Sequence, residues 1–277
     1  MDPRQHHQAN RAAWNEAARQ YEREVEADIA FLRAGGKRLL APELRFLHNL
    51  GAWCQRAIHL QCAGGRDTLS LWNQGAQEVV GVDISERMIA CAHRKSAALA
   101  APAQWYCCDV LDTPRALDGT ADLVYTGCGA LCWIMDIAAW ARVVARLLKP
   151  GSGRLYVFES HPLSRIWDPD TAELRLNPDL RWGDYFTETI AVEQGWAPQY
   201  IPPEILPPQE AQAHNYEQQW TLGQIMNALV DAGLLLERFE EHPDQYWLQY
   251  PNLPEEIARR VPHIFSLLMR SSGGSEG

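Results

Sequence analysis

Three groups of residues in this chain of 277 have types and spacings that could hold a ligand. The first is the small-residue loop 61–65 (Gln61, Cys62, Ala63, Gly64, Gly65), which follows the apolar run 57–61 and precedes the helix-forming stretch that starts near Asp67. Small residues let backbone approach a ligand closely, and a helix start adds free N–H groups with a partial positive charge. The second is Asp83, at the end of the next apolar run (Val79, Val80, Gly81, Val82) and eighteen residues beyond Gly65. A carboxylate there can accept both hydroxyls of a ribose. The third is Asp109, which ends the run 104–108 and can accept from an exocyclic amine. Together they predict a nucleoside held by its sugar and its base. A dinucleotide fits less well, because the pyrophosphate fingerprint G-x-G-x-x-G lacks its first two glycines here.

These groups have to be positioned by alternating strands and helices. Strands are predicted at 57–61, 79–83, 104–108, 121–126 and 154–159, with helices at 67–74, 86–99 and 137–148 between them. That alternation specifies right-handed βαβ units, hence an α/β, Rossmann-like, doubly wound and mostly parallel sheet. Ahead of it, 9–33 has helical periodicity up to Gly35-Gly36, and a short helix is predicted from Pro42 to Leu50. The alternation stops after His161 and resumes at Thr221 with a helix over 222–232. Segments 234–239 and 246–250 then read as a hairpin, 254–269 as one or two helices, and 271–277 as a disordered end. The expected organisation is a helical cap (1–52), a cofactor-binding core (53–160 and 221–253), an inserted lid (161–220), and a C-terminal helix with tail (254–277).

On the loop, the two acids and the strand pattern, the chain resembles the class I S-adenosylmethionine-dependent methyltransferases, and within them a bacterial small-molecule branch. The resemblance spans about 57–160 and 221–250 and rests on Leu60-Gln61-Cys62, Gly65, and Asp67-Thr68-Leu69-Ser70-Leu71. It implies S-adenosyl-L-methionine as cofactor and a seventh, antiparallel strand supplied by the late hairpin. It further implies contacts of Gln61, Ala63, Gly64 and Gly65 with the methionine part, Asp83 with the ribose, and Asp109 and Val110 with the adenine. Ile84 and Met88 would pack on the adenosine, while Thr126, Gly127 and Cys128 would line the sulfonium side. Aromatic residues of an N-terminal helix often cover the methionine end in such enzymes, which points to Trp14 and Tyr21. The chain departs from the pattern at three places: His59 stands where an acid is usual, and Gln61 and Ala63 where glycines are usual.

The lid 161–220 would select the acceptor. It holds Trp167, Trp182, Tyr185, Phe186, Trp196, Tyr200, Tyr216 and Trp220, and ten acids against three arginines. Aromatics suit a flat ligand, and the local balance of −7 suits a neutral or cationic one. His161, just past strand five, is the expected general base, followed by Tyr185 and His214. The formal net charge of −10 disfavours nucleic acid, and no run reaches the ~18 apolar residues of a membrane span. Seven cysteines with no C-x-x-C pattern read as reduced thiols of a cytoplasmic protein, and Cys128 and Cys132, with no histidine beside them, give no metal site. The reading is therefore methyl transfer to a small molecule. Its alternatives are a nicotinamide-dependent oxidoreductase and a non-catalytic module that binds an adenosine ligand.

Overall fold

The computed structural model describes residues 2–127, 129–198, 200–245 and 249–273. Helix α1 (Pro3–Arg33) starts on a capping box, in which the Asp2 side chain accepts from Arg4 N–H and Gln5 reaches back to the cap. It stops where Gly35 takes a φ of 79°. Then follow α2 (Ala41–Phe46), β1 (Arg56–Leu60), α3 (Arg66–Asn73), β2 (Glu78–Asp83), α4 (Glu86–Leu99), β3 (Ala103–Cys107), β4 (Leu123–Gly127), α5 (Ile137–Leu147) and β5 (Arg154–Ser160). The lid contributes α6 (Leu180–Gly183), β6 (Ala191–Gln194) and β7 (His214–Glu217). The chain closes with α7 (Leu222–Asp231), β8 (Leu234–His242), α8 (Glu255–Ala258) and β9 (Ile264–Ser271).

Seven strands form one sheet in the order β3-β2-β1-β4-β5-β9-β8, with only β9 antiparallel to its neighbours. The strands are apolar because both faces are covered. Alternation sends Ile58, Leu60, Val80 and Val124 to one face, where they pack with Trp140 and Val144 of α5 and Leu229 of α7. It sends Ala57, Val79, Leu123 and Tyr125 to the other, against Leu69 of α3 and Leu47. The chain direction along the sheet reverses between β1 and β4, and a doubly wound sheet opens a crevice at such a point, beyond the strand ends.

One expectation fails. The strand that pairs with β8 is not 246–250 but Ile264–Ser271, in the stretch expected to be helical. Tyr246, Trp247 and Leu248 lie outside the described residues, and Gln249 and Tyr250 are not in a strand. The reason is physical. β9 lies inside the sheet, with Phe265, Leu267 and Met269 packed into the core on one face and Ile264 and Leu268 into the core on the other, so Ile264-Phe265-Ser266-Leu267-Leu268-Met269 shows no alternation of two. A continuous apolar run cannot be assigned to strand or helix by periodicity alone. The expected disordered end likewise begins too early: Ser271 closes β9, and Ser272 N–H donates to Gly233 O. Residues 274–277 lie outside the described residues.

Candidate functional site

Loop 61–65 turns the chain from β1 into α3 by alternating its backbone. Gln61, Ala63 and Gly65 adopt φ of 59°, 44° and 78°, with Cys62 and Gly64 between them outside the left-handed region. Two of these are not glycine, and each carries a strain on the order of 1 kcal/mol. They are also the two positions where the sequence departs from the expected glycines. Such an alternation curls successive N–H groups inward. Asp83 occupies that curl: its Oδ2 accepts from Ala63 N–H at 2.8 Å and its Oδ1 from Ser85 N–H at 2.9 Å. Burial raises the Asp83 carboxyl to about 6, with those N–H bonds pulling the other way. At Gly65 a Cβ would come within 2.7 Å of both Ala92 Cβ and Trp105 Cη2, so close packing as well as φ excludes a side chain.

A cavity of about 400 Å³ opens over this loop, at the carboxyl ends of β1, β2 and β4. Of the residues expected at the cofactor, Trp14, Tyr21, Gln61, Ala63, Gly64, Gly65, Asp83, Ile84, Asp109, Val110 and Gly127 line it. Met88 and Thr126 do not. Both are fully buried behind it, with Met88 N–H on the Ser85 cap and Thr126 Oγ1 toward Leu60 O. Cys128 lies outside the described residues.

The two ends of the cavity differ. At one end Asp109 accepts from Leu111 N–H through Oδ1 and is bonded through Oδ2 to His7 Nδ1 at 2.8 Å. His7 Nε2 accepts from Met135 N–H at 3.1 Å, so the ring proton sits on Nδ1 and is donated to Asp109. Burial pushes the Asp109 carboxyl up, but the His7 and Leu111 bonds outweigh it and leave it below its ordinary range. At the other end Lys95, with no exposed surface, donates to Gly64 O at 2.8 Å and pairs with Asp28 Oδ2 at 2.6 Å. Asp28 Oδ1 takes Arg66 at 3.0 Å. Gln61 Nε2 is bound to Ala130 O, but its Oε1, like Asp67 Oδ1, is buried without a hydrogen-bond partner. His59, in place of the usual acid, bonds Thr68 Oγ1 and is lowered to about 3 by burial, so it stays neutral.

Sequence reasoning missed His7, Asp28, Lys95 and Asp67. His7 sits two residues ahead of the periodic stretch 9–33 that marked the helix, Asp28 and Lys95 read as solvated charges on helix surfaces, and Asp67 reads as a first-turn acid. The expected general bases are elsewhere. His161 Nδ1 accepts from Leu163 N–H and its Nε2 is bonded to Glu241, Tyr185 OH accepts from Leu222 N–H, and His214 is exposed on β7. None of the three lines this cavity or the second one beside it.

That second cavity, of about 540 Å³, lies between the core and the lid. It shares Trp14, Gly129, Trp133 and Tyr200 with the first. Trp14 packs on Trp133 and Trp196 at 5.1 and 4.8 Å between ring centres, and Trp196 stacks on Tyr200 at 5.5 Å.

Residues 57–151, which hold the loop and both acids, match the family model described as a methyltransferase domain. This segment, about a third of the chain, is a methyltransferase domain. A search of curated proteins gives no match. Among solved structures, a S-adenosylmethionine-dependent methyltransferase from Mesorhizobium loti is similar at 24% identity and a TM-score of 0.59, covering 83% of this chain and 96% of that one. One from Clostridium acetobutylicum is similar at 13% identity and a TM-score of 0.53, covering 79% and 84%. The geranyl diphosphate C-methyltransferase of Streptomyces coelicolor, solved with Mg²⁺, geranyl diphosphate and S-adenosyl-L-homocysteine, is similar at 16% and 0.55, covering 84% and 79%. These likenesses give the fold, including the antiparallel seventh strand. S-adenosylmethionine is the methyl donor that this fold and domain imply, and the cavity fits it. The two unpartnered acceptors, Gln61 Oε1 and Asp67 Oδ1, suit an ammonium group. A Cβ on Gly64 would press on Lys95 Nζ and Tyr21 Cδ1 at 3.2 Å, so the loop approaches its ligand as bare backbone. Among the described residues no cluster of three or more His, Cys, Asp or Glu could hold a metal ion, and no helix is long and apolar enough to cross a membrane.

Proposed function

We propose that the chain moves a methyl group from S-adenosylmethionine to a small neutral or cationic acceptor, and that the acceptor occupies the second cavity. One observation carries this reading: the two cavities share Trp14, Gly129, Trp133 and Tyr200 on their common border, so ligands in the two would meet there. When bound, the cofactor supplies a methyl group activated on sulfur. The chain's own residues bind, align and exclude water. Asp83 accepts the ribose hydroxyls, and Ile84 and Val110 flank the base beside Asp109. Gln61 and Asp67 take the ammonium, while Tyr21, bonded to Tyr200 at 3.2 Å, covers the methionine end from α1. Of the earlier candidates for proton removal, His161 is held by Glu241 and Leu163, and Tyr185 and His214 stand off the cavities. We therefore assign catalysis to alignment.

The lid's acid excess and the net charge of −10 argue for a metabolite rather than nucleic acid as the acceptor, and the free thiols Cys54, Cys62 and Cys91 suit a reducing cytoplasm. Incubation with labelled S-adenosylmethionine and fractionated metabolite extracts, read by mass spectrometry, tests the reading. One or more metabolites should gain a labelled methyl group. If S-adenosylhomocysteine fails to raise the melting temperature at saturation, the reading is wrong at its first step.

A further inference from the structure

We propose that the second cavity is built for an arylalkyl amine: a flat ring system bearing an amino group, off the ring, that donates hydrogen bonds. This deepens the methyl-transfer reading and rests on it for the acceptor's role, though not for the chemistry of the wall. The argument starts from five of the six carboxamides that line the cavity, Gln194, Asn215, Gln218, Gln219 and Gln249. Each turns its N–H₂ end to main-chain carbonyls: Gln194 to Glu210 and Gln212, Asn215 to Gly195, Gln218 to Gln219, Gln249 to Ser164. Gln219 is the decisive one. Both hydrogens of its amide are spent on Asp184 O and Tyr185 O, at 3.1 and 3.3 Å, which fixes the amide's orientation. Its Oε1 is left buried with no partner, on a side chain only 6% exposed. A buried acceptor without a donor costs about 1–3 kcal/mol, a cost that a ligand's N–H removes.

The charges point the same way. Glu159, Glu193 and Glu217 line the cavity against one cation among its described residues, Arg165. Arg165 is held by Glu217 at 2.5 Å and lies over the Trp182 ring at 5.0 Å. Glu159 is filled by the N–H groups of Gly129, Ala130, Leu131 and Ser160. An anionic ligand would find no unpaired cation on this wall, whereas a donor meets acceptors. Trp14, Trp133, Trp196 and Trp220 supply the flat apolar surface, and a ring face also attracts a positively charged nitrogen.

The test is calorimetry on the full chain saturated with S-adenosylhomocysteine, using tryptamine and 3-indolepropionate as probes matched in ring and size but opposite in charge. Tryptamine should bind at least tenfold more tightly. Gln219→Leu should weaken tryptamine about fivefold or more while leaving 3-indolepropionate alone. Because that change also releases Asp184 and Tyr185, Glu193→Gln serves as a second variant at an exposed rim position. It should cut the preference for tryptamine about threefold with an unchanged melting temperature. Equal binding of the two probes, stronger binding of the carboxylate, no binding of either, or indifference to both substitutions would each overturn the proposal. Repeating the titrations without S-adenosylhomocysteine separates the two readings. If that ligand does not bind but the preference for tryptamine persists, methyl transfer fails and the amine site stands.

Discussion

Asp67 gives the sharpest test of how the chain would grip S-adenosylmethionine. Strand β1 carries His59 one residue before its end, and that ring stays neutral, so a carboxylate for the ammonium would have to come from elsewhere. Asp67, in the first turn of α3, lines the cavity and keeps Oδ1 buried and unpartnered. Burial raises its carboxyl, while Arg66, Arg38 and Lys95 draw it back down. Replacing it by Asn keeps the shape and removes the charge. A hydrogen bond between charged groups contributes about 1.5–3 kcal/mol, so the loss should be roughly ten- to a hundredfold in Kd. The assay is calorimetric titration with S-adenosylhomocysteine and, in parallel, 5′-methylthioadenosine, which shares the nucleoside but has no ammonium. Asp67→Asn should weaken the first and leave the second within about twofold. Equal weakening of both would mean that Asp67 only supports the loop, and no weakening of either would mean that the ammonium lies elsewhere.

Three further outcomes follow from the same cavity. With Asp83 raised to about 6 and its ionised form accepting the ribose hydroxyls, affinity for S-adenosylhomocysteine should be constant above about pH 7. If Asp83 holds the ribose as proposed, affinity should fall as pH drops through 6, reaching about tenfold weaker by pH 5, and titration across that range checks it. Gly65→Ala puts a methyl group 2.7 Å from Ala92 Cβ and Trp105 Cη2 at a φ of 78°, and should cost roughly 2–4 kcal/mol in urea unfolding, where a change under 1 kcal/mol would contradict the close packing. His7→Ala removes the donor to Asp109 and the acceptor for Met135 N–H, so it should weaken both S-adenosylhomocysteine and 5′-methylthioadenosine and speed amide exchange at the start of α1. Unchanged exchange would show that the helix is held without it.

Much of the core could be read from residue order because each strand there begins and ends on a chemical change. Apolar runs stop at Gln61, Asp83 and Asp109, and those stops are where the cavity opens. What escaped is what sequence distance hides. The partners of the site come from α1 and α4: His7 reaches Asp109 across 102 positions, and Lys95 reaches Gly64 across 31. A buried lysine on an otherwise amphipathic helix looks like any solvated one until Asp28 is found beside it. β9 was missed because a strand covered on both faces loses its alternation. His161 was singled out for its chemistry and its place after β5, but its side chain turns to Glu241 on β8, away from the cavities.

Helix α1 is bound to both halves of the site. It closes the cofactor cavity through His7 and Tyr21, and it is tied to the lid where Asn10 exchanges two hydrogen bonds with Tyr216, Glu16 accepts from Ala213 N–H, and Trp196 donates to Ala13 O. Were the helix to swing aside to exchange a bound nucleoside, these bonds would draw the insert with it and unroof the neighbouring chamber too. One door would then serve both rooms, and a clamp on the occupant of either would slow the release of the other.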